Sequence, residues 1–495
     1  MGRLYYLFLI FIFLLLSGCS DPGSQSIRFA LASTPISLDP RYATDATSSR
    51  INRLLYQRLV DFDGQFKMQP AVANWHKISE KHYRFKLNAS RGYFADGKRL
   101  SASDVQATYS YILDPDNASP HRGSIQLIDR IVLIDSLTVD FYLKKPDPLF
   151  PGYLVIGIVP QQVAVRKQSL NKKPKGSGGF DFIAWPDASR LVLQRKTDKQ
   201  QIEFVYVHDA TVRALKLMRG EVDLLQNDLP RELVHYLGSK KEISLHHLAG
   251  NNFTYIGFNV SDPVLNNPTI RKAVAHAINR PALVKYLLGG KTRLANALLV
   301  PEHWAGLKNA KAYDYDPELA RSLLQSQGYN RNKPLILEYK TSSDPFRIRI
   351  ATIIQQQLNE VGIKVRLKSF DWGTFYGDIK NGRFQMYSLS WVGIKNPDIF
   401  RYVFHSQSIP PQGANRGRYV NQKVDGLIER AETSADVASR SQYYRDLQKQ
   451  LLHDLPYIPL WYEEHFVASR NNISGYRLAA DGNYDGLFMA VKKYR

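Results

Sequence analysis

Between residues 335 and 391 short β-branched or aromatic runs alternate with helical periodicity, and no other segment restricts the possible folds as strongly. Residues 335–340 read as a strand, and 346–360 as a helix with Ile348, Ile350, Ile353, Ile354 and Leu358 on one side. Gly362 closes that helix, and 363–367 read as a second strand. A short helix over 375–379 ends near Gly382, and 384–389 read as a third strand. A β-α-β-α-β order requires a parallel or mixed sheet with right-handed crossovers, so the expected fold class is α/β. In such sheets ligands bind beyond the carboxyl ends of the strands. Trp391 stands at one such end, and Phe370-Asp371-Trp372 lies just past another.

The chain of 495 residues is too long for one ordinary core, and two or three domains are expected. Before the α/β run, 27–31 read as a strand, and 46–59 as a helix carrying Ile51, Leu54, Leu55 and Leu59 at helical spacing. Residues 83–87 alternate like a half-buried strand. Ser101 and Asp104 form a capping box for a helix that Asp114-Pro115 stops near Leu113. Strands follow near 131–134 and 138–143. A helix from Thr211 ends at Gly220, a strand covers 222–225, and the aromatic 252–260 reads strongly as a strand. Helices are expected over 268–278 and 281–288.

The single cysteine, Cys19, can form neither an internal disulfide nor a cysteine metal cluster. It follows Arg3, thirteen apolar or aromatic residues from Leu4 to Leu16, and the small pair Ser17-Gly18. That run is too short for a spanning helix, which needs about 20 residues, but suits a signal peptide. The arrangement resembles a bacterial lipoprotein signal. It implies removal of residues 1–18, acylation of Cys19, a short tether over 19–26, and an exported protein held on a membrane by its first residue.

The net charge of +21 would fit nucleic acid, but the lysines and arginines are scattered and often sit beside acids, as near Asp181, Asp187 and Arg190. An exported lipoprotein does not meet the chromosome, so no nucleic-acid partner is expected. The basic balance reads instead as a solvated surface facing anionic lipid or wall polymers, or as a bias toward anionic ligands.

Motif fragments for other chemistry are incomplete. Gly289-Gly290-Lys291-Thr292 ends like a phosphate loop, but Lys285 occupies the place of the required earlier glycine. Gly176-Ser177-Gly178-Gly179 has Lys175 where a nucleophile elbow needs glycine. The histidines show no metal-ligand spacing, and Asp61-Phe62-Asp63-Gly64 lacks the rest of a calcium loop. No catalytic residue, metal or cofactor is assigned, and an enzyme is not expected.

Five segments, in order, resemble the bacterial solute-binding proteins of the oligopeptide and dipeptide class, family 5. They are Ser37-Leu38-Asp39-Pro40, the stretch from Phe94-Ala95-Asp96-Gly97 to Val105, Met218 to Leu224, Phe258-Asn259-Val260 followed by Ile270 to Arg280, and Trp391 with Pro397-Asp398. Gly178-Gly179-Phe180 stands where that family usually has Gly-Pro-Tyr. The resemblance implies a two-lobed periplasmic-binding-protein type II fold with an extra inserted domain and a hinge. It maps lobe I to 27–48, 166–251 and 467–495, the extra domain to 49–165, and lobe III to 252–466. Hinge crossings would fall near 250–253 and 467–470. It further implies a monomer that hands a peptide or peptide-like solute to the permease subunits of an ABC importer, from the periplasm or the cell exterior.

On the same basis the cleft would be lined by Ser33, Thr34 and Pro35 from lobe I. Lobe III would supply Asn252, Phe253, Tyr255, Gly257 and Phe258, with Trp372, Trp391, Val392, Gly393 and Ile394. Core packing is the alternative for both tryptophans. Asp398 would brace its loop. Peptide-binding relatives usually carry an aspartate three residues after the tryptophan, and here that position is Ile394, followed by Lys395. An acid at 394 therefore does not anchor a free amino terminus, and the Ile394-Lys395 pair suits a less positively charged ligand. Non-peptide solutes (a metal chelate, haem, an opine, a sugar) and a sensor lipoprotein of the same fold stay open as alternatives.

Overall fold

The computed structural model describes residues 26–90, 92–288, 292–311 and 313–493. Cys19, the signal segment and Gly289-Gly290-Lys291 lie outside the described residues. One eleven-stranded mixed sheet organises the chain. Its α/β half is the expected run: Leu335–Ser342 pairs in parallel with both Ile363–Phe370 and Met386–Trp391, and helix Pro345–Glu360 supplies the first crossover. Asp344 caps that helix by accepting a hydrogen bond from Arg347 N, and Gly362, at φ 92°, turns the chain back into the sheet.

The other half holds strand Ile27–Leu31, parallel to both Gln201–Tyr206 and Leu224–Gln226, with an antiparallel extension through Arg190–Arg195 and Phe180–Asp187. Two long antiparallel strands, Ile243–Phe258 and Tyr457–Arg470, join the halves. Their register shifts between Ala249 and Phe253, opposite Tyr462 to Glu464. Residues 467–469 already pair with Leu224–Gln226, inside the first half. Each half has its own apolar core. Ile27, Phe29 and Phe204 belong to one, and Ile256, Phe258, Tyr339 and Ile354 to the other.

A separate four-stranded antiparallel sheet, ordered Ala73–Ser79, His82–Leu87, Thr138–Leu143 and Ile128–Leu133, is covered by helix Ala102–Leu113. The expected Ser101/Asp104 capping box is present. The core of this sheet merges with the outer helical layer of the α/β half, so Phe85, Phe141 and Phe150 share one cluster with Phe400, Phe404 and Tyr444.

The helix expected over 46–59 stops earlier, as Ala46–Leu55. Gly178 N donates to Leu55 O at 2.8 Å, and a Cβ on Gly178 would lie 2.3 Å from Leu54 O. The glycine-rich 176–179 segment is therefore a close approach of backbone to a helix end, and any side chain there would collide with it.

Candidate functional site

The carboxyl ends of Leu335–Ser342, Ile363–Phe370 and Met386–Trp391 form an edge that meets the ends of Ile27–Leu31 and Leu224–Gln226 across the two long strands. Strand alternation sorts the side chains at this edge. Asn252, Thr254 and Ser390 lie on one face and converge on Glu463. Thr254 Oγ1 donates to Glu463 Oε1 at 3.0 Å, Ser390 Oγ at 2.8 Å, and Asn252 Nδ2 donates to Oε2 at 3.2 Å. Arg347, from the first turn of its helix, adds a charged donor at 3.2 Å.

Burial pushes the Glu463 carboxyl up, but Arg347 and the hydrogen bonds from Ser390 and Asn252 outweigh it and bring the pKa down to about 2. Desolvation is also the largest influence on Arg347, yet its side chain keeps 35 % of its surface accessible.

The opposite face of the same strands is apolar. Phe253 and Tyr255 stack with ring centroids 5.7 Å apart, and Tyr255 lies 4.0 Å from the Tyr457 ring. A Cβ on Gly257 would meet the Tyr387 ring at 2.5 Å. Phe258, like Ile256, lies on the face of Asn252 and Thr254 and is buried there in the core of the α/β half. Phe253, Tyr255, Gly257 and Phe258 are all buried, so the expectation that they line a cleft is corrected. Their side chains point between the sheet and its helices, and only Asn252 and Thr254 of this strand turn toward the charged edge.

Trp391 lies between the two environments. Its ring is parallel to that of Tyr255, and the Arg416 guanidinium sits 4.7 Å from its centroid on a half-buried side chain. Trp372 is 46 % exposed and stacks on Tyr376 at 5.4 Å, so plain core packing does not describe it. Val392 is exposed, and Gly393 N donates to Asn252 Oδ1 at 3.0 Å. Ile394 is buried, with its carbonyl accepting from Asn251 Nδ2 at 2.9 Å.

Lys395 does not lend its charge to the edge. Its ammonium is 2.6 Å from Asp481 and 3.6 Å from Asp61, and Asp61 is also held by Arg53 at 2.7 Å and Arg58 at 3.3 Å. Its contribution to a less cationic ligand preference is thereby corrected, because two carboxylates neutralise it. Burial pushes the Asp61 carboxyl up, and Arg58, Arg53 and Lys395 together hold it well below the usual range.

On the other side of the edge, Ser33 is exposed, with its Oγ 2.9 Å from Thr47 Oγ1, Thr34 is half-buried and Pro35 buried. Asp398 caps helix Ile399–Phe404 without a side-chain cap bond. Burial, then Asp147 and Glu432, raise its carboxyl to about 7. Arg50, Asp228, Arg347 and Glu463 also form part of this edge, and the sequence did not single them out. Arg50 and Arg347 lie in helices, Asp228 just past a strand end and Glu463 in mid-strand, with no motif around any of them. Among the described residues no group of histidine, cysteine or acidic side chains could hold a metal ion.

Residues 67–410 match the bacterial extracellular solute-binding proteins, family 5. The chain belongs to that family. It is 27% identical to di/tripeptide-binding protein 2 of Pseudomonas aeruginosa over 92% of this chain and 93% of that protein. It is 26% identical to the glutathione-binding protein GsiB of Escherichia coli K12, over 95% of both chains. Among solved structures, DppA of Helicobacter pylori with the peptide STSA superposes with a TM-score of 0.85 at 25% identity, covering 95% of this chain and 98% of that one. NikZ of Campylobacter jejuni with Ni(L-His) superposes at 0.83 with 22% identity, over 94% and 99%, and shows the shared periplasmic-binding-protein fold. The mixed α/β architecture is the one these proteins have.

Proposed function

We propose that this family 5 protein is the substrate-binding component of an ABC importer and captures a peptide or peptide-like solute between its two sheet halves. The observation that carries this reading is the polar cluster in which buried Asn252 and Thr254, with Ser390, hold the partly accessible Glu463–Arg347 pair at the strand ends. The relatives named for di/tripeptides and glutathione support the ligand class. Lobe I is then 27–48, 166–251 and 467–495, the inserted domain 49–165, and lobe III 252–466. The strand irregularity at 249–253 and its partner segment Tyr462 to Glu464 serve as the hinge, because unpaired backbone there can absorb dihedral change. Cys19 carries the lipid anchor, and the permease docks on the closed form.

Ser33, Thr34, Trp372, Trp391, Val392 and Gly393 border the cleft in this reading. Extended peptides bind such edges partly through backbone hydrogen bonds, which tolerates varied side chains. Position 394 offers a peptide only a buried isoleucine, so no amino terminus is anchored there. Native mass spectrometry of residues 20–495, purified without refolding, tests the reading. A ladder of bound masses matching short peptides is expected, and a single non-peptide mass would overturn the ligand class.

A further inference from the structure

Asn227 and Asp228 follow strand Leu224–Gln226 with φ of 60° and 57°, two consecutive non-glycine residues in the left-handed region. Such a conformation is strained and persists only where surrounding contacts impose it. Those contacts are present. Asn227 Nδ2 reaches His465 Nδ1 at 3.0 Å, and Phe466 N donates to Asn227 Oδ1 at 3.0 Å, pinning the turn to the long strand Tyr457–Arg470. Arg213, itself buried, donates to the Asp228 carbonyl. The backbone is thereby clamped from both sides while the Asp228 side chain is left exposed.

Its carboxylate makes no ion pair within 4 Å and no side-chain hydrogen bond among the described residues. Desolvation is nevertheless the largest influence on it, and the charges around it are Arg50, Arg213, Glu463 and Arg347. Gln226 pairs with Val467 and Asn227 is bonded to His465 and Phe466, so Asp228 lies beside the strand segment that carries Glu463, the partner of Arg347 from the opposite sheet half. Arg347 is committed to Glu463 at 3.2 Å, and Arg50 is buried against Tyr484, with no carboxylate within 4 Å. A clamped turn that presents an unpartnered carboxylate beside the Glu463–Arg347 pair suits a cation that arrives with the ligand.

We infer that Asp228 anchors the ammonium group of the solute, which makes the ligand a primary amine or zwitterion such as an unblocked short peptide. This rests on the proposed solute-binding role. Burial raises the Asp228 carboxyl above its ordinary value, and Arg50 and Arg213 oppose that rise.

The test is calorimetric titration of the protein and of Asp228→Asn with tri-alanine, its N-acetylated form and glutathione. Asparagine is isosteric and tolerates the left-handed region, and an unchanged melting temperature checks the fold. Expected is binding of an unblocked probe at least tenfold tighter than the acetylated one, with that preference lost in Asp228→Asn. Tight binding of an unblocked probe that Asp228→Asn leaves unchanged would overturn the anchor and spare the peptide reading. Failure of every amine-bearing probe to bind would overturn both.

Discussion

The two faces of the strand around residues 252–258 share backbone, register and neighbours, yet their side chains have opposite fates. Asn252 and Thr254 join Ser390 and Arg347 around the Glu463 carboxylate, whereas Phe253, Tyr255 and Gly257 are sealed among Tyr387, Tyr457 and Trp391. At 252–254 one face is held by charge-assisted hydrogen bonds to a partly accessible carboxylate and the other by aromatic packing. Period two sorts the side chains at 252–255, but Ile256 and Phe258 continue the polar face as buried core, so position along the strand decides as much as parity does.

The sharpest break of that comparison is Tyr255→Ala on the sealed face. It opens a cavity among three aromatic rings and is expected to cost about 3–5 kcal/mol in denaturant unfolding. Thr254→Val next to it is expected to cost less, about 1.5–3 kcal/mol, the value of one hydrogen bond to a charged group. Equal losses for the two would contradict the assignment of the faces.

Glu463→Gln removes the partner of Arg347 and weakens three further bonds, for about 2–3 kcal/mol at neutral pH after allowance for partial solvent access. Because the folded pKa is lowered to about 2 from 4.5, that stability is present above pH 4.5 and fades as pH falls toward 2. Unfolding free energies between pH 6 and 2.5 should fall more steeply in the wild type than in Glu463→Gln.

Asp398 has the reverse sign. Its folded pKa is raised to about 7, so the folded state holds a proton that the unfolded state has lost, and stability declines as pH rises from about 4 to 7. Asp398→Asn is expected to add about 2 kcal/mol at pH 8 and almost nothing at pH 4, read by the same unfolding experiment. Gly257→Ala is expected to cost about 1–3 kcal/mol in the same unfolding experiment, because its Cβ would lie 2.5 Å from the fully buried Tyr387 ring.

Much of this was legible in the sequence. The β-α-β-α-β order from 335 to 391 set the parallel pairing, and the Ser101/Asp104 box and Gly220 marked helix ends at the right residues. What stayed hidden depended on distant pairing. The strand around 252–260 begins at Ile243, because its first half is held by Tyr457–Arg470, far along the chain. Phe258 reads as well as a cleft residue as a core one until the helix that covers it is known. Glu463 and Asp228 carry no motif, and their roles come from a convergence of four segments and from a backbone conformation. Lys395 looked free because its partner Asp481 is remote in sequence.

In the proposed role solute enters between the two sheet halves, and closing them holds it. Glu232 and Arg349 form an ion pair at 2.9 Å across the halves, both well exposed. Residues 20–495 contain no cysteine, so Glu232→Cys with Arg349→Cys gives one pair for a short bismaleimide crosslinker. Crosslinking the empty protein is predicted to abolish binding of added short peptide while the uncrosslinked double variant binds like the wild type. Equal binding before and after crosslinking would place the site elsewhere and contradict the account.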